Sequence, residues 1–190
     1  MVGKAADQVP ALLVAAVPGR ALPLLILGAS RLRLSNGAYT CVFPLLCAHE
    51  VGAHFTYSMV PYDEAVQALS GHSLDALLGF RRNHFDRLVH FLFGLLLLPA
   101  IAQWLRAQMR MRGVLAFAVP ILVVEAWSAI FELIEWSAAL AFGGDLGQAY
   151  LGTQGDVWDA QWDMALALLG AVIAQSARSL HRRAARIGSE

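Results

Sequence analysis

The chain has 190 residues, of which 58% are hydrophobic and only 15% charged, well below the roughly 25% charged residues of ordinary water-soluble domains. Its 14 Lys and Arg are balanced by 14 Asp and Glu, and no polybasic patch is dense enough to suggest nucleic acid, so the expected partner is the lipid bilayer. Two cysteines, Cys41 and Cys47, stand six apart in an apolar run; on a helix they point to different faces, which argues for inert thiols over a disulfide or metal pair.

The first 35 residues form an apolar segment interrupted by Pro18, Gly19, Arg20 and Pro23. Lys4 is followed by Asp7, so the segment does not read as a cleavable signal; it is a partial span or an interfacial stretch. A polytopic all-α transmembrane bundle is expected over residues 36–178, with four spans and a possible fifth in the N-terminal segment, because each span needs about 20 mostly apolar residues. The first predicted span covers Asn36–Tyr57 and ends before Pro61, which cannot continue a helix. The polar stretch to Arg82 is expected to hold a short amphipathic helix lying on the membrane. Further spans are predicted at Arg87–Leu105, Val114–Ala141 and Trp158–Ala177, followed by a basic tail over 179–190. The third is longer than a bilayer requires, so it tilts or protrudes.

The glycine-rich loop Gly143–Gly155 lacks the lysine of a phosphate-binding P-loop and reads as a set of tight turns. Trp136, Trp158 and Trp162 cluster near one predicted interface, where aromatic belts anchor helices; Trp127 lies deeper. Arginines at 31 and 33, at 106, 110 and 112, and at 178, 182, 183 and 186 fall on one side if there are four crossings. The positive-inside rule makes that side, and the C-terminus, cytoplasmic, in a multi-pass protein of the bacterial inner membrane.

Polar residues then collect at the opposite, periplasmic end. Glu50, His54 and Tyr57 fall at i, i+4 and i+7 on the first span. Asn83, Arg87 and His90 repeat that spacing on the second, with Asp86 four before His90 and His84 beside them. Ser128, Glu132 and Glu135 make a stripe on the third, and Asp156, Asp159 and Asp163 another on the fourth. A carboxylate at helix centre costs roughly 2.5–3.5 kcal/mol on insertion scales, so these stripes are expected to face one another. His49, next to Glu50, reads as packed and hydrogen-bonded; His72 and His181 read as exposed.

A structural polar network holding the helices together is one reading of these stripes. Against it, the carboxylates outnumber their cationic partners Arg81, Arg82 and Arg87, and crowded acids in a low dielectric must protonate or bind a cation. A divalent metal ion is therefore the candidate cofactor, with His54, His84, His90, Asp156, Asp159 and Asp163 as candidate ligands. No His-Glu-x-x-His or cysteine-pair pattern supports a zinc site by spacing alone. For an enzyme acting on an envelope lipid or polyprenyl phosphate, Asp86, His90, Glu132 and Glu135 are the candidate catalytic groups and Arg87 the phosphate clamp. A proton- or ion-coupled carrier would need polar residues continuing to the far end, and Val119-Pro-Ile-Leu-Val-Val124 offers none. A structural or assembly factor is the third class. Oligomeric state is not legible.

The stretches His49-Glu-Val-Gly-Ala-His-Phe-Thr-Tyr-Ser-Met-Val-Pro-Tyr62, Arg82-Asn-His-Phe-Asp-Arg-Leu-Val-His-Phe91, Glu132-Leu-Ile-Glu-Trp136 and Gly144–Met164 resemble the YjdF family of bacterial inner-membrane proteins. The likeness covers about residues 35–175 and implies location and helical fold without assigning a reaction. Members of that family begin with further apolar sequence, whereas here the start is short and interrupted. Asp86-Arg-Leu-Val-His-Phe91, a later intramembrane Glu and Asp159-x-x-x-Asp163 are also similar to VanZ-like proteins, which are linked to the cell envelope and glycopeptide resistance. Arg87 stands where that pattern has Lys, and Asp163 where it has Asn.

Overall fold

The computed structural model describes residue 32 and residues 34–144 and 151–188, and every regular element among them is helical. The expectations for residues 1–31 and for Arg33 and Asp145 lie outside the described residues.

Helix α1 (Asn36–Phe55) starts where the Ser35 side chain accepts from the Ala38 amide, satisfying one of the free N–H groups of the first turn. It ends at Thr56, a non-glycine residue at φ 64° that turns the chain sharply. Two short helices follow, α2 (Tyr62–Ser70) and α3 (Leu74–Leu78), each closed by a left-handed glycine, Gly71 and Gly79. Then come three long helices: α4 (Phe85–Met109), α5 (Gly113–Phe142) and α6 (Asp159–Ile187).

These three are the helices long and apolar enough to cross a membrane among the described residues. The first predicted span, α1, has the 20 residues a crossing needs but is diluted by His49, Glu50 and His54. Its packing nevertheless carries it along α4 from end to end. Ser35 bonds Gln103 at one end through both its amide and its hydroxyl, Ala38 and Val42 meet Ala100 in the middle, and Ala48 packs against the cluster of Val60, Phe85 and Val89 toward the other end. The four helices thus run alternately up and down.

The tightest crossing is α4 against α6. A Cβ placed on Gly94 would fall onto the Ala167 carbonyl, and one on Gly170 onto the Phe91 carbonyl, so only glycine lets the backbones touch. At this level α4 widens into a π turn over Phe93–Leu97, just ahead of Pro99, which cannot donate to the preceding turn. A similar defect in α5 is repaired from outside. Pro120 has no N–H for the Ala116 carbonyl, and the buried Gln175 side chain donates to the carbonyls of Ala116 and Phe117 at 2.8 and 2.9 Å.

Between these features lies an apolar centre of Leu98, Ala102, Ile121, Val124, Ala171 and Ala174. The α6 face that packs here begins one end higher with Asp159 and Asp163 and continues through Ala167 and Ala171 at steps of four. The same geometry that buries the alanines buries the acids.

Candidate functional site

Two charged groups occupy one end of the bundle, the end formed by the start of α4, the outer part of α5 and the start of α6. The first is a clamp of two arginines and two aspartates. Arg82 stands 2.7 Å from Asp159 Oδ1 and 3.6 Å from Asp156 Oδ2; Arg87 donates to Asp156 Oδ2 at 2.6 Å and reaches Asp159 Oδ1 at 3.2 Å. Arg82 also donates to the carbonyls of Thr153 and Gly152, and the Arg87 guanidinium lies 5.8 Å above the centre of the Trp162 ring. Asn83 and Gln154 exchange reciprocal bonds, the Gln154 side chain accepting from the Asn83 amide and donating to its carbonyl. The segment 82–83 and the turn 152–154 are thereby laced together over the entrance to α4.

Asp156 precedes α6 and folds back on it, its Oδ1 accepting from the Trp158 amide at 2.9 Å. That bond, with the Arg87 side chain, holds its carboxyl below the usual carboxylate range.

The second group lies beneath this clamp. Asp86 and His90, four apart on α4, meet Asp163 of α6 so that one ligand atom from each lies within 4.8 Å of the others, and all three residues are buried. Asp163 is only 2% exposed, and its Oδ1 has no hydrogen-bond partner among the described residues. From α5, Glu132 brings Oε1 to 3.4 Å from His90 Nε2 without a hydrogen-bond partner, Ser128 Oγ lies 3.4 Å from His90 Nδ1, and Phe131 packs edge-on to the imidazole. Glu135, a turn further on, is buried as well. Gly152 closes the top: it adopts φ +61°, and a Cβ there would approach Asp86 Oδ2 to 3.8 Å.

The two groups differ in compensation. Two aspartates face two arginines in the clamp, whereas Asp86, Asp163, Glu132 and Glu135 share a single imidazole. Donors around one ion can stand at most two bond lengths apart, about 4.0–4.4 Å for bonds of 2.0–2.2 Å and about 4.6–5.2 Å for bonds of 2.3–2.6 Å. The observed spacing lies at that scale, and side-chain rotation can shorten it. Two carboxylates and an imidazole are a mixed oxygen–nitrogen donor set of the kind divalent metals take.

The structure brings together Asp86, His90 and Asp163, with Glu132 alongside, and brings Arg87 to Asp156 and Asp159 instead of to this group. His54 is not brought in. It is exposed on α1, edge-on to Phe55. The inward face of α1 is the small-residue face of Ala38, Val42, Leu45, Gly52 and Ala53, which leaves the Glu50–His54 stripe outside. On the packed side, His49 Nδ1 pairs with the Tyr57 hydroxyl at 2.7 Å, as a packed, hydrogen-bonded histidine should. His84 is also apart: its ring stacks on Phe80 at 4.0 Å and its amide donates to the Tyr62 hydroxyl. Desolvation, aided by the positive charges of Arg87 and Arg82, lowers its pKa. Arg82 and Gln154 were weak signals in the sequence, since neither falls on a helical stripe; only the folded turn gives them partners.

Apolar helices of crossing length around a desolvated group of acids and an imidazole define an integral membrane protein built as a helical bundle. Residues 3–184 match the family described as "Predicted membrane protein (DUF2238)". The chain is also 41% identical over 151 residues to the "Inner membrane protein YjdF" of Escherichia coli (strain K12), covering 78% of this chain and 68% of that one. It belongs to this YjdF/DUF2238 family of membrane proteins. No solved structure matches it.

Proposed function

We propose that the protein is a multi-pass inner-membrane enzyme, with its C-terminus in the cytoplasm, that uses a divalent metal ion to hydrolyse or transfer the phosphate of an envelope lipid or polyprenyl phosphate at the periplasmic face. The observation that carries this reading is the convergence of Asp86, His90 and Asp163 in a buried place where Asp163 Oδ1 and Glu132 Oε1 lack donors. Buried polar atoms left without partners are costly and rare; a cation would satisfy Asp163, and a water beside it would satisfy Glu132.

In this reading Asp86, His90 and Asp163 would hold the ion, whose contribution would be Lewis-acid activation at the reacting phosphate. Glu132 would accept a proton from the attacking water as the water oxygen bonds to phosphorus and the bond to the lipid oxygen breaks, and would return that proton to the departing alkoxide. Arg87, with Arg82, is held by Asp156 and Asp159 at the mouth, and reaches a phosphate only by exchanging one of these carboxylates for it.

The test is release of inorganic phosphate from a polyprenyl phosphate and from phosphatidic acid in mixed micelles, after chelation and after adding back zinc or manganese. Metal-dependent turnover that Glu132→Gln reduces by about 100-fold, within the range of general base catalysis, supports the enzyme. Metal binding without turnover of either lipid would instead favour the carrier or assembly reading.

A further inference from the structure

The hairpin formed by α2 and α3 sits outside the bundle, at the same end as the acid group. None of its residues is buried, and its large apolar side chains are turned out: Leu69 is 90% exposed, Leu77 69% and Leu78 55%. Next to it in the chain, Met59 is 71% exposed. Such a face is unfavourable in water.

The hairpin is nevertheless well fastened. Asp63 Oδ2 accepts from the Ser73 hydroxyl at 2.8 Å and its Oδ1 from the Asp75 amide at 2.9 Å, which locks α3 against α2. Tyr62 donates to Asp75 Oδ1 at 2.7 Å and accepts from the His84 amide at 3.2 Å, tying the unit to the entrance of α4. Asn83 adds a bond to the Val60 carbonyl at 2.7 Å. These polar bonds use up the acidic side of the hairpin and leave the leucines unpartnered.

We infer that this hairpin lies in the headgroup–acyl boundary of the bilayer, with Leu69, Leu77 and Leu78 in lipid, and that it fixes the mouth of the acid group at headgroup depth. The occupant is lipid because apolar side chains flanking the hairpin in the chain are turned out as well, Phe55 at the end of α1 and Leu88 in the first turn of the spanning helix α4. Exposed Trp158 and Trp162 stand at the same end, as interfacial tryptophans do. The hairpin combines exposed Leu69, Leu77 and Leu78 with polar Asp63, Glu64 and Ser70, an amphipathic unit that is acidic where many interfacial helices are basic.

The test uses the full chain in phosphatidylethanolamine–phosphatidylglycerol nanodiscs, with Cys41→Ser and Cys47→Ser and single cysteines at Leu69, Leu77 or Glu64 carrying a fluorescent label. A doxyl group near the top of the acyl chain is expected to quench the labels at 69 and 77 more strongly than a deep doxyl or a water-soluble quencher does. The label at 64 is expected to show the reverse order. Labels at 69 and 77 quenched from water as readily as the one at 64 would overturn the proposal. So would stronger quenching by the deep doxyl, which would make the hairpin a membrane-inserted element.

Discussion

The arginine–aspartate clamp and the acid group beneath it are neighbours on the same helices, and they solve opposite problems. In the clamp each carboxylate is within 3.6 Å of two guanidinium groups. In the acid group, His90 is the one basic side chain within ion-pair reach among the described residues, near Asp86 and Glu132, and two of the carboxyl oxygens have no hydrogen-bond partner there. A compensated cluster serves as a fastener, and under the proposed function the uncompensated one is held in place by the rest of the fold for an ion. The comparison predicts that mutations in the two groups will separate stability from ligand affinity.

The largest effect is expected in the clamp. Asp159→Ala leaves Arg82 and Arg87 with one half-buried carboxylate between them, and removing one partner of a buried pair costs about 3–5 kcal/mol. Thermal melting in detergent should show this as a large fall in Tm and in yield. Pairing it with Arg87→Met should recover part of the loss; a single mutant as stable as wild type would break the distinction between fastener and site.

A smaller stability effect, with a larger effect on affinity, is expected beneath it. His90→Ala and Asp163→Asn remove donors, and zinc or manganese affinity should fall by more than the 10–100-fold typical of outer-shell partners. Melting in chelator should be close to wild type, because Asp163→Asn also relieves crowding of like charges. Strong destabilisation in chelator would mean that the group is itself a structural network.

Weaker effects belong to the hydrogen bonds at the mouth. Tyr62→Phe deletes the bond to Asp75 and should cost about 1 kcal/mol, read by chemical denaturation. Desolvation, and then the bond to Asp75, raise the Tyr62 pKa to about 12. A raised pKa in the folded protein means that this contribution is intact below the unfolded value of about 10 and is lost as pH rises through about 12. Asp156 has the opposite sign. Its pKa is lowered, so its contribution is present above the unfolded value of about 3.9 and disappears as pH falls through the lower folded value. The melting temperature of Asp156→Asn should therefore depend less on acid pH than that of wild type, and equal dependence would place the acid sensitivity elsewhere.

Much of this arrangement was legible in the sequence. Long apolar runs gave three of the long helices, and the step of four from Asp159 to Asp163 placed both on the face that the alanines bury. His90 and Asp86 were marked by the same step on α4. The Glu50–His54 stripe misled, because polar spacing identifies a face without saying which way it points. On α1 the face of small residues packs instead, with Gly52 so close to the Tyr57 ring that a Cβ would collide with it. The start of α6 was read to within a residue, but counting Asp156 in its stripe misled, since Asp156 forms a side-chain turn on Trp158 before the helix begins. Arg82 and Arg87 were marked as the cationic partners of the acids, but the seating of Arg82 on the carbonyls of Gly152 and Thr153 was not, because backbone carbonyls carry no sequence signal.

The most direct measurement is the metal content of detergent-purified protein loaded with zinc or manganese and then desalted, for wild type, His90→Ala and Asp163→Asn side by side. The account predicts a single ion bound per wild-type chain and none in either variant, at matched monodisperse yield. Wild type that retains no ion, or variants that retain as much as wild type, would contradict it.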